Sequence, residues 1–179
     1  ALGVLGRAGA AGVAGLIVPW NGPFVFACFK FAVSLAAGCS SVLKPSEEPP
    51  LTALILGEIL VQAGIPAGVV NIVTGNGDTA GAALTEHPLV DKIGFTGSTG
   101  VGKSIVRASA ETLKKYTLEL GGKSPVIIFD DADLEKAING ASMGVFQASG
   151  QMCVAGSRIY AHRKIYDQIV EGLSAAGKG

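Results

Sequence analysis

The segment Gly150-Gln151-Met152-Cys153 contains the side chain of this chain best suited to covalent chemistry. A thiolate is a strong nucleophile, and small neighbouring residues leave a thiol open to an approaching carbonyl group. Ser149 and Gly150 precede Cys153, and the small segment 154–156 follows it. A lone cysteine is more often a small buried hydrophobic residue. The case for a nucleophile therefore depends on polar groups elsewhere in the chain.

Two upstream residues have side chains that would assist such a nucleophile. Glu119 ends an apolar segment and is followed closely by two glycines, a setting in which a partly desolvated carboxylate can act as a general base. Asn21 lies in the rigid corner Pro19-Trp20-Asn21-Gly22-Pro23, and its amide can donate to a developing oxyanion. Simpler interpretations remain open, because charges at strand ends and asparagines in turns are common.

Two further clusters of residues suggest a binding site for a nucleotide. Lys44 and Glu47 follow a short strand, where a carboxylate can bind two ribose hydroxyls, although a solvated loop explains them equally well. The segment from Gly97 to Ser104 lies between a predicted strand and helix, and a helix start can bind a phosphate. Its glycine spacing differs from GxGxxG but satisfies the P-loop pattern GxxxxGK[ST], so a P-loop and a plain helix start also remain open.

The elements that would position these residues alternate between strands and helices. Apolar runs predict strands over residues 13–18, 41–43, 69–73, 92–95, 116–120, 126–129 and 158–161. Helices are predicted over residues 24–37, 51–63, 134–147 and 164–176, with shorter ones ending near residues 86 and 111, and an N-terminal cap at residues 130–133. We expect an α/β fold with an open parallel sheet covered by helices on both faces, and ligands at the carboxyl ends of its strands. Residues 24–37 are apolar nearly all round, which predicts a buried helix.

The composition and the residue pattern argue against several classes of protein and of binding site. Acidic and basic residues balance at 14 each, which argues against nucleic acid as a partner. Three cysteines and two histidines, far apart in the sequence, form neither a disulfide framework nor a metal site. The apolar run 24–37 is shorter than the roughly 20 residues needed to span a membrane, and Lys30 interrupts it. Because residues 1–15 lack the features of a signal peptide, we expect a cytoplasmic protein.

Five motifs in order give the chain a specific resemblance. They are Pro19-Trp20-Asn21-Gly22-Pro23, Lys44-Pro45-Ser46-Glu47, Phe95-Thr96-Gly97-Ser98-Thr99, Glu119-Leu120-Gly121-Gly122-Lys123 and Gly150-Gln151-Met152-Cys153. In these motifs the chain resembles the NAD(P)-dependent aldehyde dehydrogenase superfamily. The resemblance implies a truncated member with a Rossmann-like NAD(P)-binding domain over residues 1–121 and the start of a catalytic domain over residues 122–179.

The resemblance also implies a mechanism. Cys153 would attack the aldehyde to form a thiohemiacetal, whose oxyanion would be held by the Asn21 amide and the backbone N–H of Cys153. Transfer of hydride to the cofactor would leave a thioester, and Glu119 would activate water to hydrolyse it. The glutamate favours hydrolysis over transfer of the acyl group to coenzyme A.

The cofactor residues implied by the resemblance lie in the first domain. Lys44 and Glu47 would bind the adenine ribose, and Gly97 and Ser98 the diphosphate. Trp20 and Thr96 would line the cleft, and Lys103 would have no P-loop role. Glu47 favours NAD, with NADP as the alternative. The implied partners are a small aldehyde substrate and, for the full-length protein, further copies of itself. A P-loop nucleotide-binding module and a catalytically inactive fragment are the competing hypotheses.

Overall fold

The computed structural model describes residues 12–48 and 50–178, and their contacts form two compact units divided between Leu120 and Gly121. The domain boundary predicted after Gly121 lies one residue further along. The prediction that residues 1–15 are not a signal peptide concerns a segment that lies mostly outside the described residues.

The described part of the first unit is a parallel sheet with helices on both faces. Its strands are β1 (Val13–Ile17), β2 (Ser40–Lys44), β3 (Val70–Ile72), β4 (Lys92–Gly97) and β5 (Lys115–Leu120), in the order β3-β2-β1-β4-β5. Its helices are α1 (Pro23–Ala36), α2 (Leu51–Gln62), α3 (Ala82–Glu86), which follows a π-helical turn at Gly77–Gly81, and α4 (Thr99–Thr112). The predicted fold class is confirmed, and most predicted element ends are within a residue or two of those observed.

Two apolar clusters hold the helices on this sheet. One cluster joins α1 and α2 to the first two strands and contains the fully buried Phe31 and Leu43. The other lies on the opposite face, where Ile93 of β4 packs with Ile105 of α4. Burying each of these side chains contributes about 1.5–3 kcal/mol. The two clusters fix the strand ends at which the candidate residues lie.

The prediction that α1 is buried on all sides is wrong for the described residues. Its inner side, including Ala27 and Phe31, packs on the sheet, whereas Phe29 is 68% exposed and Val33 is 71% exposed. An apolar composition predicts burial but cannot say what covers the outer side. None of the described helices is long and apolar enough to cross a bilayer.

The second unit is smaller. Strands β6 (Pro125–Ile128) and β7 (Arg158–Ala161) pair in parallel, and helices α5 (Leu134–Phe146) and α6 (Tyr166–Ala176) accompany them. Short 3₁₀ turns at Gln147–Gly150 and Arg163–Ile165 follow α5 and precede α6. Ile128, Ile165 and Ile169 form its buried core. As predicted, an aspartate caps α5, since the Asp133 carboxylate accepts a hydrogen bond of 3.2 Å from the Lys136 amide.

Candidate functional site

The sheet brings the predicted residues of the first unit to one edge. Ile17, at the end of β1, is level with Lys44 on one side and with Phe95 on the other. Thr96 of β4 is likewise level with Glu119 of β5. The chain leaves β1 toward β2 on one side and returns later to β4 on the other, which makes a topological switch point between β1 and β4. Ligands of open parallel sheets bind beside such a point.

Lys44 and Glu47 form an ion pair at this edge. Lys44 is 2% exposed, and its Nζ donates a hydrogen bond of 2.9 Å to Oε2 of Glu47, whose side chain is half exposed. Burying an ammonium group is costly without such a partner. The hydrogen bond from Lys44 lowers the pKa of Glu47, and backbone N–H groups, including that of Gly77, lower it further. The pair therefore presents a fixed, ionised carboxylate to solvent, and the simpler interpretation of a solvated loop does not describe Lys44.

The start of α4 lies at the end of β4. Ser98 is the N-terminal cap, and its Oγ accepts a hydrogen bond of 3.3 Å from the amide of Val101. The first N–H groups of a helix have no intrahelical partners, so Gly97 and Ser98 lead directly into a group of donors suited to a phosphate.

The P-loop hypothesis gains no support from this geometry. The helix already begins at Thr99, so Gly102 lies inside α4 and not in a loop before it. A Cβ at Gly102 would lie 2.8 Å from Cδ2 of Leu120, so this glycine is required for packing against β5. Lys103 is exposed on the helix surface.

Trp20 and Asn21 follow β1 at the same edge. Trp20 is 48% exposed, and Asn21 is half-buried just before α1. Pro23 occupies the first turn of α1, where the missing N–H is no disadvantage. The amide of Phe26 donates to the Gly22 carbonyl at 3.0 Å, which closes this turn. The chain is therefore fixed directly after the asparagine, and an oriented Asn21 amide stays a prediction.

Glu119 is exposed in the described chain. The sequence predicts a partly desolvated carboxylate there, and this detail is wrong for the described residues. Alternation along the strands places Glu119 and Thr117 on the same side of the sheet. Thr117 accepts a hydrogen bond of 2.8 Å from Nζ of Lys92, so this part of the sheet face is polar.

Lys30 is a residue whose chemistry the sequence analysis missed. It lies on α1, and its Nζ is 3.8 Å from the position that a Cβ of Gly94 would occupy. Desolvation by burial lowers the pKa of Lys30 to about 8, while the charge of Glu119 raises it and that of Lys92 lowers it. A lone lysine in an otherwise apolar helix is the signal that would have identified it.

Cys153 lies in the second unit, in a loop tied at several points. Ala155 donates to the carbonyl of Met152 at 3.1 Å, and Gly156 to that of Gly144 at 3.0 Å. Cys153 is half-buried in the loop that these two hydrogen bonds hold. A Cβ at Gly156 would lie 2.5 Å from Cγ2 of Val126, so only glycine permits this close approach to β6.

The chain enters this loop through an unusual turn. Ala148 and Ser149 have φ angles of 50° and 56°, and Gly150 follows with 77°. The left-handed conformation costs roughly 1–2 kcal/mol for a residue other than glycine. Strained backbone conformations are concentrated at functional sites. This turn lies directly before Cys153, which is consistent with a functional role for the loop. Among the residues that the structure describes, no three His, Cys, Asp or Glu side chains are grouped as a metal site requires.

A family profile and individual known proteins all match this chain to aldehyde dehydrogenases. The profile of the Aldehyde dehydrogenase family matches residues 4–178. Phenylacetaldehyde dehydrogenase from Pseudomonas fluorescens is 51% identical over 167 residues, which are 93% of this chain and 33% of that protein. Betaine aldehyde dehydrogenase 1 from Oryza sativa subsp. japonica is 52% identical over 167 residues, again 93% of this chain and 33% of the relative.

A solved structure shows the same fold. The NAD+ complex of an aldehyde dehydrogenase from Bacillus cereus matches with a TM-score of 0.94 and 51% identity, covering 96% of this chain and 35% of that one. The chain spans about a third of the length of the relatives that it matches. Two relatives of nearly equal identity are named for different aldehydes, so similarity over this third does not determine a substrate.

Proposed function

The chain belongs to the aldehyde dehydrogenase family, and from this premise we propose that the whole protein oxidises an aldehyde to a carboxylic acid with NAD+. The observation that best supports the proposal is the position of the Lys44–Glu47 ion pair and the start of α4 at one edge of the sheet. An ionised carboxylate and a helix N-terminus are the two groups that recognise a ribose and a diphosphate.

The residues at this edge fit a dinucleotide. The Glu47 carboxylate is held by Lys44 at 2.9 Å and retains lone pairs that can accept hydrogen bonds from ribose hydroxyls. Gly97 and Ser98 would place the diphosphate on the first N–H groups of α4, while Trp20 and Thr96 would line the cleft. When bound, the nicotinamide supplies the hydride acceptor for the reaction. Glu47 favours NAD because a carboxylate repels a 2′-phosphate, with NADP as the alternative.

The covalent steps belong to Cys153. Its thiolate sulfur would form a bond to the aldehyde carbon, and the negative charge would pass to the oxygen as the thiohemiacetal forms. The amide of Asn21 and the backbone N–H of Cys153 would donate to this oxyanion. After loss of hydride from the same carbon, the C=O bond re-forms and a thioester remains on the sulfur.

Hydrolysis would regenerate the thiol. Glu119 would remove a proton from water as the water oxygen attacks the thioester carbon, and the carbon–sulfur bond would then break to release the acid. Lys30 would act through Glu119 as a positioning residue, because the charges of the two side chains interact. The pKa of Lys30, about 8, also allows this side chain to gain or lose a proton near neutral pH.

The experiment that tests this function measures the alkylation of the three cysteines by iodoacetamide in the folded chain. Cys153 should react at least tenfold faster than Cys28 or Cys39, because a nucleophile must be accessible and ionisable. Mass spectrometry of the digested protein gives each rate. Equal rates at all three positions would contradict the assignment of the nucleophile and would favour a catalytically inactive member of the family.

The remaining expectations for the whole protein belong to the same proposal. Its substrate would be a small-molecule aldehyde, its quaternary structure a homo-oligomer, and its location the cytoplasm. The domain roles also belong here, with residues 1–121 binding the cofactor and residues 122–179 starting the catalytic domain. Size-exclusion chromatography with light scattering of the whole protein tests the oligomer.

A further inference from the structure

The amine of Lys30 lies between an apolar and a polar part of the sheet face under α1. A Cβ at Gly94 would lie 3.8 Å from Nζ of Lys30 and 3.3 Å from Cδ2 of Leu16, a residue of the buried core. On its other side, Gly94 pairs with Thr117, which is hydrogen-bonded to Lys92. Because residue 94 is a glycine, it places no side chain between the amine and β4.

The environment of Lys30 differs from that of the other lysines. Three others that are not exposed, Lys44, Lys92 and Lys114, donate hydrogen bonds of 2.9, 2.8 and 2.6 Å. The rest, within residues 12–48 and 50–178, are exposed. Lys30 is half-buried and has no hydrogen-bond or ion-pair partner among those same residues. Its amine is therefore partly removed from water without a group that holds it in place.

This environment makes the amine a nucleophile near neutral pH. Burial lowers the pKa of Lys30 to about 8, whereas an ordinary lysine has a pKa of about 10.4. At pH 7 the neutral form then accounts for about 10% of Lys30 and about 0.04% of an ordinary lysine. Only the neutral amine has a lone pair that can attack a carbonyl carbon, and desolvated lysines form Schiff bases for this reason.

We propose that Lys30 is a covalent modification site for small aldehydes, which condense with its amine to form a Schiff base. Nζ bonds to the carbonyl carbon, and one N–H proton passes to the oxygen to give a carbinolamine. The hydroxyl group then leaves with the second N–H proton as water, and a C=N bond remains. The reaction needs neither an oxidant nor a cofactor. The inference rests on the proposed function for one point, that aldehydes are the compounds this protein encounters.

The opposing effect is steric. Packing of α1 on the sheet lowers the pKa of Lys30, and the same packing could shield the amine from an aldehyde. In that case the amine would be neutral and unreactive. The rate of modification at Lys30, relative to an exposed lysine, separates the two outcomes.

The experiment treats the folded chain with a limiting amount of acetaldehyde and with cyanoborohydride, which reduces the imine to a stable N-ethyl group. Tandem mass spectrometry then gives the rate at each lysine. At pH 7, Lys30 should react roughly tenfold faster than the exposed Lys115, less than the ratio of neutral fractions because nucleophilicity falls with pKa. The ratio of the two rates should fall about fivefold between pH 8 and pH 9, where Lys30 is already mostly neutral and an ordinary lysine is not.

Lys114 is the matched control within the same sample. It is buried as well, but its Nζ donates to the carbonyls of Thr85 and His87 at 2.6 and 2.8 Å. Since these bonds hold the ammonium form, Lys114 should react more slowly than Lys30 and Lys115. Reaction of Lys114 as fast as Lys30 would show that burial alone explains the rates and would overturn the inference.

The adduct at Lys30 should form equally in Cys153→Ala, because the condensation does not need the thiol. A rate at Lys30 no higher than that at Lys115 at pH 7, or an adduct that is lost in Cys153→Ala, would overturn the inference. Either result would leave the proposed function standing, since alkylation of Cys153 tests that function separately. Equal alkylation of the three cysteines would contradict the proposed function without changing the rates at the lysines.

Discussion

Replacing Glu119 with glutamine should lower the pKa of Lys30 further. Burial already lowers this pKa from 10.5 to about 8, and the charge of Glu119 opposes that shift. An amide keeps the shape of the side chain and removes its charge. The ammonium form of Lys30 then loses its stabilising neighbour and releases its proton at lower pH.

The magnitude follows from the register of the sheet. Nζ of Lys30 lies over Gly94, which pairs with Thr117, and Glu119 is two residues further along the same strand. A strand spacing of about 4.8 Å and a rise of about 6.6 Å over two residues put Gly94 and Glu119 about 8 Å apart. Two charges at about 8 Å with an effective dielectric constant of 20–40 interact by roughly 1–2 kcal/mol, or about one pKa unit.

The assay is reductive methylation of the lysines with ¹³C-formaldehyde, followed by NMR titration. The signal that disappears in Lys30→Arg identifies Lys30. Its midpoint should move about one unit lower in Glu119→Gln, whereas Glu111→Gln, on a helix that covers the opposite face of the sheet, should not move it. An unchanged or higher midpoint in Glu119→Gln would refute the electrostatic coupling between Lys30 and Glu119.

Two further predictions concern the free energy of unfolding, measured by urea denaturation. Ala148→Gly should raise it by about 0.5–1 kcal/mol, since φ at this residue is 50° and glycine adopts that conformation without strain; a decrease would mean that the turn is not strained. Lys114→Met should lower it by about 2 kcal/mol, because the buried Nζ donates to the carbonyls of Thr85 and His87 at 2.6 and 2.8 Å. The matched control Lys115→Met alters an exposed residue and should change stability by less than about 0.5 kcal/mol; equal effects of the two would contradict this role.

The sequence predicts the sheet edge well because the relevant signals are local. Alternation of apolar runs and glycine loops determines which strands are parallel, and polar residues such as Glu47 and Ser98 mark the carboxyl ends. The cap at Asp133 is predictable for the same reason, since an aspartate before a helical pattern accepts bonds from its first turn.

Structural features that depend on contacts between residues far apart in the sequence are predicted less well. The apolar outer side of α1 suggests burial, yet Phe29 on that side is exposed. The sequence of the helix does not specify which other residues pack against its outer side. The lowered pKa of Lys30 depends on the packing of α1 over β4, which periodicity alone does not specify. The left-handed turn at Ala148 has no local signal, since alanine rarely adopts that conformation.

The central claim is that the carboxyl edge of the first sheet binds a dinucleotide, and a crystal structure of the chain with NAD tests it most directly. The account predicts the adenine ribose on the carboxylate of Glu47 beside Lys44, and the diphosphate on the first N–H groups of α4 at Ser98. Binding of NAD at another edge of the sheet, or its absence from crystals soaked at saturating concentration, would contradict the claim.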